Sequence, residues 1–177
     1  MSTLQAAEKY LNAPKKGVAL RRVIALSTIV LTAAVSLLVS APTAHADVVD
    51  YENLYSPDKC KEPGASAFKF HIYFNSGMNG AYRNVGYSVY NFDRLVPGGS
   101  DPGAYPLKYC IVGAGGSPGS GQKIKNNAAS GENDHYKYKA RVHFYSGYTG
   151  PKDVMNPGQT IAQFRYVYNE NASFSWA

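Results

Sequence analysis

The 177-residue chain predicts an all-β sandwich. Three observations carry that expectation. Fourteen of the fifteen tyrosines, all seven phenylalanines and the single tryptophan lie after residue 46, an enrichment that suits pleated, half-buried surfaces. No helical periodicity runs for a useful length in the same region. Short alternating runs recur instead, separated by clusters of Gly, Pro, Asn, Asp and Ser, the pattern of antiparallel strands and their turns.

In chain order, residues 1–46 read as an export signal. Lys15, Lys16, Arg21 and Arg22 precede an apolar run at 23–41, and Ala44 and Ala46 occupy the −3 and −1 positions of a cleavage site before Asp47. A membrane anchor is the competing reading, because the run approaches a bilayer's thickness. Pro42 followed by Ala-x-Ala favours cleavage, and the expected location is therefore extracellular, with no membrane contact afterwards. "LRRVIA" lacks the flanks usual in twin-arginine signals, so the export route stays open. Of 18 basic residues five lie before residue 47, and of 12 acidic residues one does, which leaves 13 against 11. The pI of 9.2 is thus mostly a property of the signal. Nucleic-acid binding, which wants a clustered basic face, loses its main support.

The remaining 131 residues suit one domain with one core, read as a monomer. Residues 47–66 are expected to form an irregular lead, and 67–177 the domain. Strands are predicted over 67–74, 84–92, 106–112, 138–145 and 160–168. Two segments, 96–106 and 113–122, are too rich in Gly and Pro for strands. Cys60 and Cys110 are the only cysteines, and an even count in an oxidising compartment implies a disulfide. Closing a loop of about 50 residues is worth roughly 4 kcal/mol in the chain-entropy model.

The chain writes F-x-S-G-x-x-G twice, in "HIYFNSGMNG" (71–80) and "RVHFYSGYTG" (141–150). Phe74 aligns with Phe144, Ser76 with Ser146, Gly77 with Gly147 and Gly80 with Gly150. A second alignment places "KNNAASGEN" (125–133) on "YNENASFSW" (168–176), so that Asn126 meets Asn169 and Ser130 meets Ser173. Two copies of one supersecondary unit follow, about 67–131 and 138–177, the first longer by an insertion. These turns and tails resemble the Greek-key motifs of βγ-crystallins. Together with "YFNSGMNGAYRNVGYSVYNF", "GQKIKNNAAS" and "RVHFYSGYTGPKD", they resemble the bacterial secreted peptidase-inhibitor family of that fold, of metalloproteinase-inhibitor type. The resemblance implies a βγ-crystallin-like double Greek-key sandwich with an insertion in the first unit. It also implies an extracellular peptidase, a metallopeptidase, as partner.

No catalytic constellation is present: G-x-S-x-G, H-E-x-x-H, C-x-x-C and a phosphate-cradling loop are all missing from the sequence. The chain reads as a non-enzyme that requires no cofactor. Calcium, which takes six to eight oxygen ligands, is the one metal to weigh. The aligned tails would offer Asn126, Asn127, Ser130, Asn169, Glu170 and Ser173, a weak set with one carboxylate. The competing account makes these residues turn formers. For inhibition, the candidate segment is the inserted stretch around Tyr109, Cys110 and Ile111, since a pre-organised loop binds at lower entropic cost. A calcium-binding structural or cell-surface module is the alternative function, and glycan binding through exposed tyrosines a third.

Overall fold

Two hairpins carry the repeated motif. Strand β1 (Phe70–Asn75) pairs antiparallel with β2 (Asn79–Val85), and β4 (Ala140–Tyr145) with β5 (Thr149–Met155). Their registers match residue for residue: Tyr73 faces Tyr82 and Asn75 faces Asn79, as His143 faces Lys152 and Tyr145 faces Thr149. The turns between them need left-handed backbone at Gly77, Met78 and Gly80, and again at Gly147, Tyr148 and Gly150. Glycine adopts that conformation without strain, which is why the motif spends two of them per turn. The computed structural model describes residues 44–98 and 104–177, all within one compact unit.

Three shorter strands complete two sheets: β3 (Ser130–Asn133), β6 (Gln159–Ile161) and β7 (Ser173–Trp176). One sheet runs β2-β1-β3-β6 and the other β5-β4-β7. The order shows an exchange. Strand β6 follows β5 in the chain but pairs with β3 of the first unit, Ile161 opposite Gly131. In return Val89, from the first unit, bridges to Phe174 of β7, with hydrogen bonds of 2.7 and 3.0 Å in the two directions. The equivalence continues past the strands. Gly77 donates to the Ala162 carbonyl as Gly147 does to Tyr90, and Phe164 donates to Ala129 as Phe92 does to Ala172. Two Greek-key units thus share each other's sheets, the double sandwich expected.

The interior is filled from both sheets. Phe70 on β1 stacks face to face on Phe174 on β7, with ring centroids 4.1 Å apart. Ile72, Val142, Val89, Phe92, Phe164 and Met155 are buried around this pair. Equivalent positions of β2 and β5 hold opposite charges. Asp153 accepts from the backbone N–H groups of Arg165, Tyr166 and Val167 and so holds that turn. Arg83 is buried and donates to the carbonyls of Lys108, Asn53 and Leu54. Burial pushes its pKa down to about 10, which leaves it cationic at neutral pH.

Several expected elements differ. The lead is not irregular: residues Ala44–Tyr55 form helix α1, followed by 3-10 turns at Pro57–Cys60 and Pro63–Ala65. Helix α1 is docked by polar anchors rather than by an apolar stripe. Asn53 accepts from the N–H groups of Gly86 and Tyr87 and donates to the Tyr87 carbonyl. Arg83 caps the last carbonyls, where a cation also suits the helix dipole. Periodicity could not have revealed such a helix. Of the stretch 84–92, only the end of β2 and the Val89 bridge are paired as strand; of 160–168, only Thr160 and Ile161 are. The stretch 106–112 makes a single bridge, Lys108 to Lys123. Its N–H groups go to separate partners, Leu107 donating to Phe92, Tyr109 to Gln122 and Cys110 to Tyr82. The expected export signal lies almost wholly outside the described residues. Among the described residues no helix is long and apolar enough to cross a membrane.

His143 gives the fold a pH dependence. It is buried, with Nε2 3.0 Å from Ser175 Oγ and Nδ1 without a partner. Burial, with help from Lys152 and Arg141, lowers its pKa to about 4. The unfolded chain therefore binds a proton that the folded one refuses. Stability from this group is complete above about pH 6.5 and is lost as pH falls toward 4, by on the order of 3 kcal/mol. Urea unfolding at pH 7 and pH 4 should show that loss, and His143→Gln should remove this share of it. An unchanged difference between the two pH values in the variant would rule the assignment out.

Candidate functional site

The paired tails form a turn-closing device. Ser130 Oγ accepts from the Met78 N–H (3.1 Å) and donates to the Asn75 carbonyl (2.6 Å). Ser173 Oγ does the same for Tyr148 (3.1 Å) and Tyr145 (2.7 Å). Each serine belongs to the last strand of its unit and locks that unit's hairpin from outside. Asn126 and Asn169 both take left-handed backbone, with φ of 56° and 53°. Their N–H groups cross between the units, Asn126 to the Asn171 carbonyl and Asn169 to the Ala128 carbonyl. Asn127 donates its side-chain amide to Gln122 and to the Lys123 carbonyl.

This use of the six residues bears on calcium. Both serine hydroxyls already sit between a donor and an acceptor, Asn127 spends its amide N–H groups on Gln122 and Lys123, and Glu170 is the set's one carboxylate, at an exposed turn. Hard divalent cations want several free oxygens with charge among them. As built, the serines serve turn formation, and one carboxylate among six residues makes a weak calcium shell. Among the described residues no group of three or more His, Cys, Asp or Glu is placed to hold a metal.

The inserted segment is anchored at both ends. Cys60 and Cys110 form a disulfide, 50 residues apart in sequence with Cα atoms 5.6 Å apart. Cys110 also donates its N–H to the Tyr82 carbonyl, and Tyr109 pairs with Gln122 and Gly121. Farther along, Pro118 accepts from Ala81 N–H, and Gly119 lies flat against Phe74, where any Cβ would overlap the ring. Of the three candidate residues, Tyr109 and Cys110 prove to be buried. The Tyr109 ring packs edge-on to Phe74 and its hydroxyl reaches the Asn127 carbonyl. Neither offers a surface to another protein. Ile111 does: it is 74% exposed, and the backbone from 111 to 115 stands clear. Added Cβ atoms at Gly113 or Gly115 would meet nothing within 4 Å.

Sequence reasoning missed the polar residues that hold these parts in place. Asn171 binds the N–H groups of Asn127 and Ala128 and the Ile124 carbonyl, tying the second unit's tail under the first. Asn84 donates to the carbonyls of Asp58 and Lys61 and accepts from His71 Nδ1 at 2.7 Å. No periodic signal marks such residues. The third strands did leave one: Val89-x-x-Phe92 and Ile161-x-x-Phe164 occupy equivalent places.

No protein-family model and no curated protein matches the chain. Solved βγ-crystallin domains do resemble it at low identity. A domain described in a study of the evolution of the eye-lens βγ-crystallin domain fold is 12% identical, covers 62% of this chain and 85% of its own, with a TM-score of 0.41. A βγ-crystallin domain from Flavobacterium johnsoniae is 12% identical over 61% of this chain and 92% of its own, with a TM-score of 0.39. A clostrillin double mutant in complex with nickel is also 12% identical, over 61% and 95%, with a TM-score of 0.34. The class itself rests on this chain's own topology: two antiparallel sheets, paired hairpins and exchanged third strands make a βγ-crystallin-like double Greek-key domain.

If the serines are turn locks, Ser130→Ala and Ser173→Ala should each cost about 1–3 kcal/mol in chemical denaturation, the penalty for orphaning buried backbone groups. Calcium at about 10 mM, above the dissociation constants of weak extracellular sites, should leave the melting temperature unchanged. A calcium-dependent rise abolished by Asn126→Ala or Asn169→Ala would make these residues ligands instead.

Proposed function

We propose that the protein is an exported, non-catalytic inhibitor of an extracellular metallopeptidase, acting through the tip of the inserted segment. One observation carries the reading: Ile111, a large apolar side chain, stands 74% exposed immediately after the disulfide-bonded Cys110. An exposed aliphatic residue on a covalently braced loop is what a peptidase pocket accepts. Bracing matters because a loop already held in shape loses less entropy on binding, and the ends of 110–121 are fixed by the disulfide and by the Tyr109–Gly121 hydrogen bond. The exposed main chain beside Ile111 would add hydrogen bonds of the strand-addition kind. No group on this chain needs to react. The resemblance to secreted inhibitors points the same way, as does the export-like segment before residue 47.

The test is titration of the purified protein against a panel of metallo- and serine peptidases. Ile111→Asp leaves the exposed residue's own fold contacts nearly untouched. It should weaken inhibition of the target by tenfold or more, about the worth of burying one aliphatic side chain. Cys60→Ser combined with Cys110→Ser should weaken it as well, by loosening the loop. Absence of inhibition across the panel, or rapid cleavage within 111–116, would sink the proposal.

A further inference from the structure

A second surface lies at the other end of β1, away from the hairpin turn and the inserted tip. Two clefts adjoin there, of about 430 and about 400 Å³, and Tyr87 and Trp176 line both. The first is also lined by Phe68, Asp134, His135 and Tyr136, the second by Tyr90 and Tyr148. Both volumes fall in the range of small-ligand sites. The strands do not require this concentration of rings. Tyr136 is 88% exposed, and Tyr87 and Tyr90 are each more than a third exposed. Aromatic residues left in water in such numbers mark a binding surface.

The rings are held rigidly. Trp176 donates Nε1–H to the Gly86 carbonyl at 2.9 Å and its backbone N–H to Ser88 Oγ. His135 lies parallel to Tyr136 at 5.0 Å and 5.1 Å from the Trp176 ring. Its Nδ1 accepts two backbone N–H groups, from Lys137 and Tyr138, so the ring carries its proton on Nε2 as a donor. Asp134 supplies an acceptor at the same place. Its Oδ2 is 3.3 Å from Nε2 of the fully buried His71, an atom with no well-aligned hydrogen-bond partner of its own. His71 is fixed in turn through Nδ1 by Asn84. The carboxylate thus rests beside a ring that is itself fixed.

We infer that this aromatic double cleft binds a neutral β-linked oligosaccharide. Pyranose rings with equatorial substituents present flat C–H faces that stack on aromatic rings, while their hydroxyls bridge a carboxylate and an N–H donor. Those are the groups present. A proline-rich peptide is the other ligand that seeks aromatic grooves, but it relies on indole N–H donors for its carbonyls. Here the indole N–H is spent on Gly86, so Trp176 offers only its ring, and Asp134 offers an acceptor to a ligand that would have few donors. Two adjoining clefts suit at least two sugar units.

Trp176 is the chain's only tryptophan, so its fluorescence reports the site directly. The purified protein would be titrated with chitotetraose, cellotetraose and a polyproline decamer, each to about 10 mM, which still saturates a site with a Kd near 1 mM. A saturable change in emission with at least one of the two sugars, and none with polyproline, is expected. The preferred sugar identifies whether an N-acetylated or a plain glucan is the source. Tyr136→Ala, which removes a ring in solvent and leaves the core alone, should weaken binding about three- to tenfold. Asp134→Asn should weaken it too, and Ile111→Asp should leave it unchanged. Silence from both sugars, binding of polyproline in their place, or full affinity in Tyr136→Ala would overturn the inference. Because no peptidase enters the measurement, its outcome is independent of the inhibitory reading.

Discussion

Neither half of this chain can finish a sheet alone. Strand β3 would present an open edge were it not for Gln159–Ile161 arriving from the other unit, and β7 would do so without Val89. Unpaired backbone in a buried setting costs as much as a lost hydrogen bond, so the exchange is obligatory. Everything else is arranged around it. The tight turns bring each hairpin beside the tail of its own unit, the serines lock them there, and the Asn126 and Asn169 N–H groups stitch the two tails together. The Phe70–Phe174 stack sits where the two sheets meet.

With the frame closed by symmetry, function is left to the places where symmetry fails. Arg83 and Asp153 show how one position diverges. On β5 the carboxylate gathers three N–H groups of a neighbouring turn; on β2 the guanidinium gathers three carbonyls from helix α1 and the insertion. The first unit thereby acquires two additions that the second lacks. Its insertion carries the exposed Ile111, and its lead helix ends beside the aromatic clefts, where Asn53 holds Gly86 and Tyr87. The inhibitory tip thus grows from the first unit alone, while the clefts join its residues to Tyr148 and Trp176 of the second.

The duplicated turns made the fold legible in the sequence, because left-handed backbone at fixed offsets demands glycine and leaves a visible mark. The tails were legible for a similar reason: Ser130 and Ser173 must reach the same two backbone groups in each copy. What escaped notice was held by single polar contacts. Helix α1 owes its place to Asn53 and Arg83, and residues 106–110 are coil because Leu107, Tyr109 and Cys110 each bond to a different partner. Burial of Tyr109 was equally hidden, since an aromatic beside a cysteine reads the same whether it points in or out. The aromatic clefts collect residues from six separated stretches, so no local pattern announces them.

The final residues have a consequence for how the chain is made. Trp176 bonds to Ser88 and Gly86, partners 88 and 90 positions earlier. Contacts of such span are slow to form and can form only late. A ribosome or a translocation pore delivering the N-terminus first would release the helix, the first hairpin and the insertion while their sheet still lacked β6 and their third strand still lacked β7. The disulfide between Cys60 and Cys110 needs nothing beyond residue 110 and is the one covalent link available in that interval. Synthesis therefore passes through a looped but open half-sandwich, which closes only when β7 arrives.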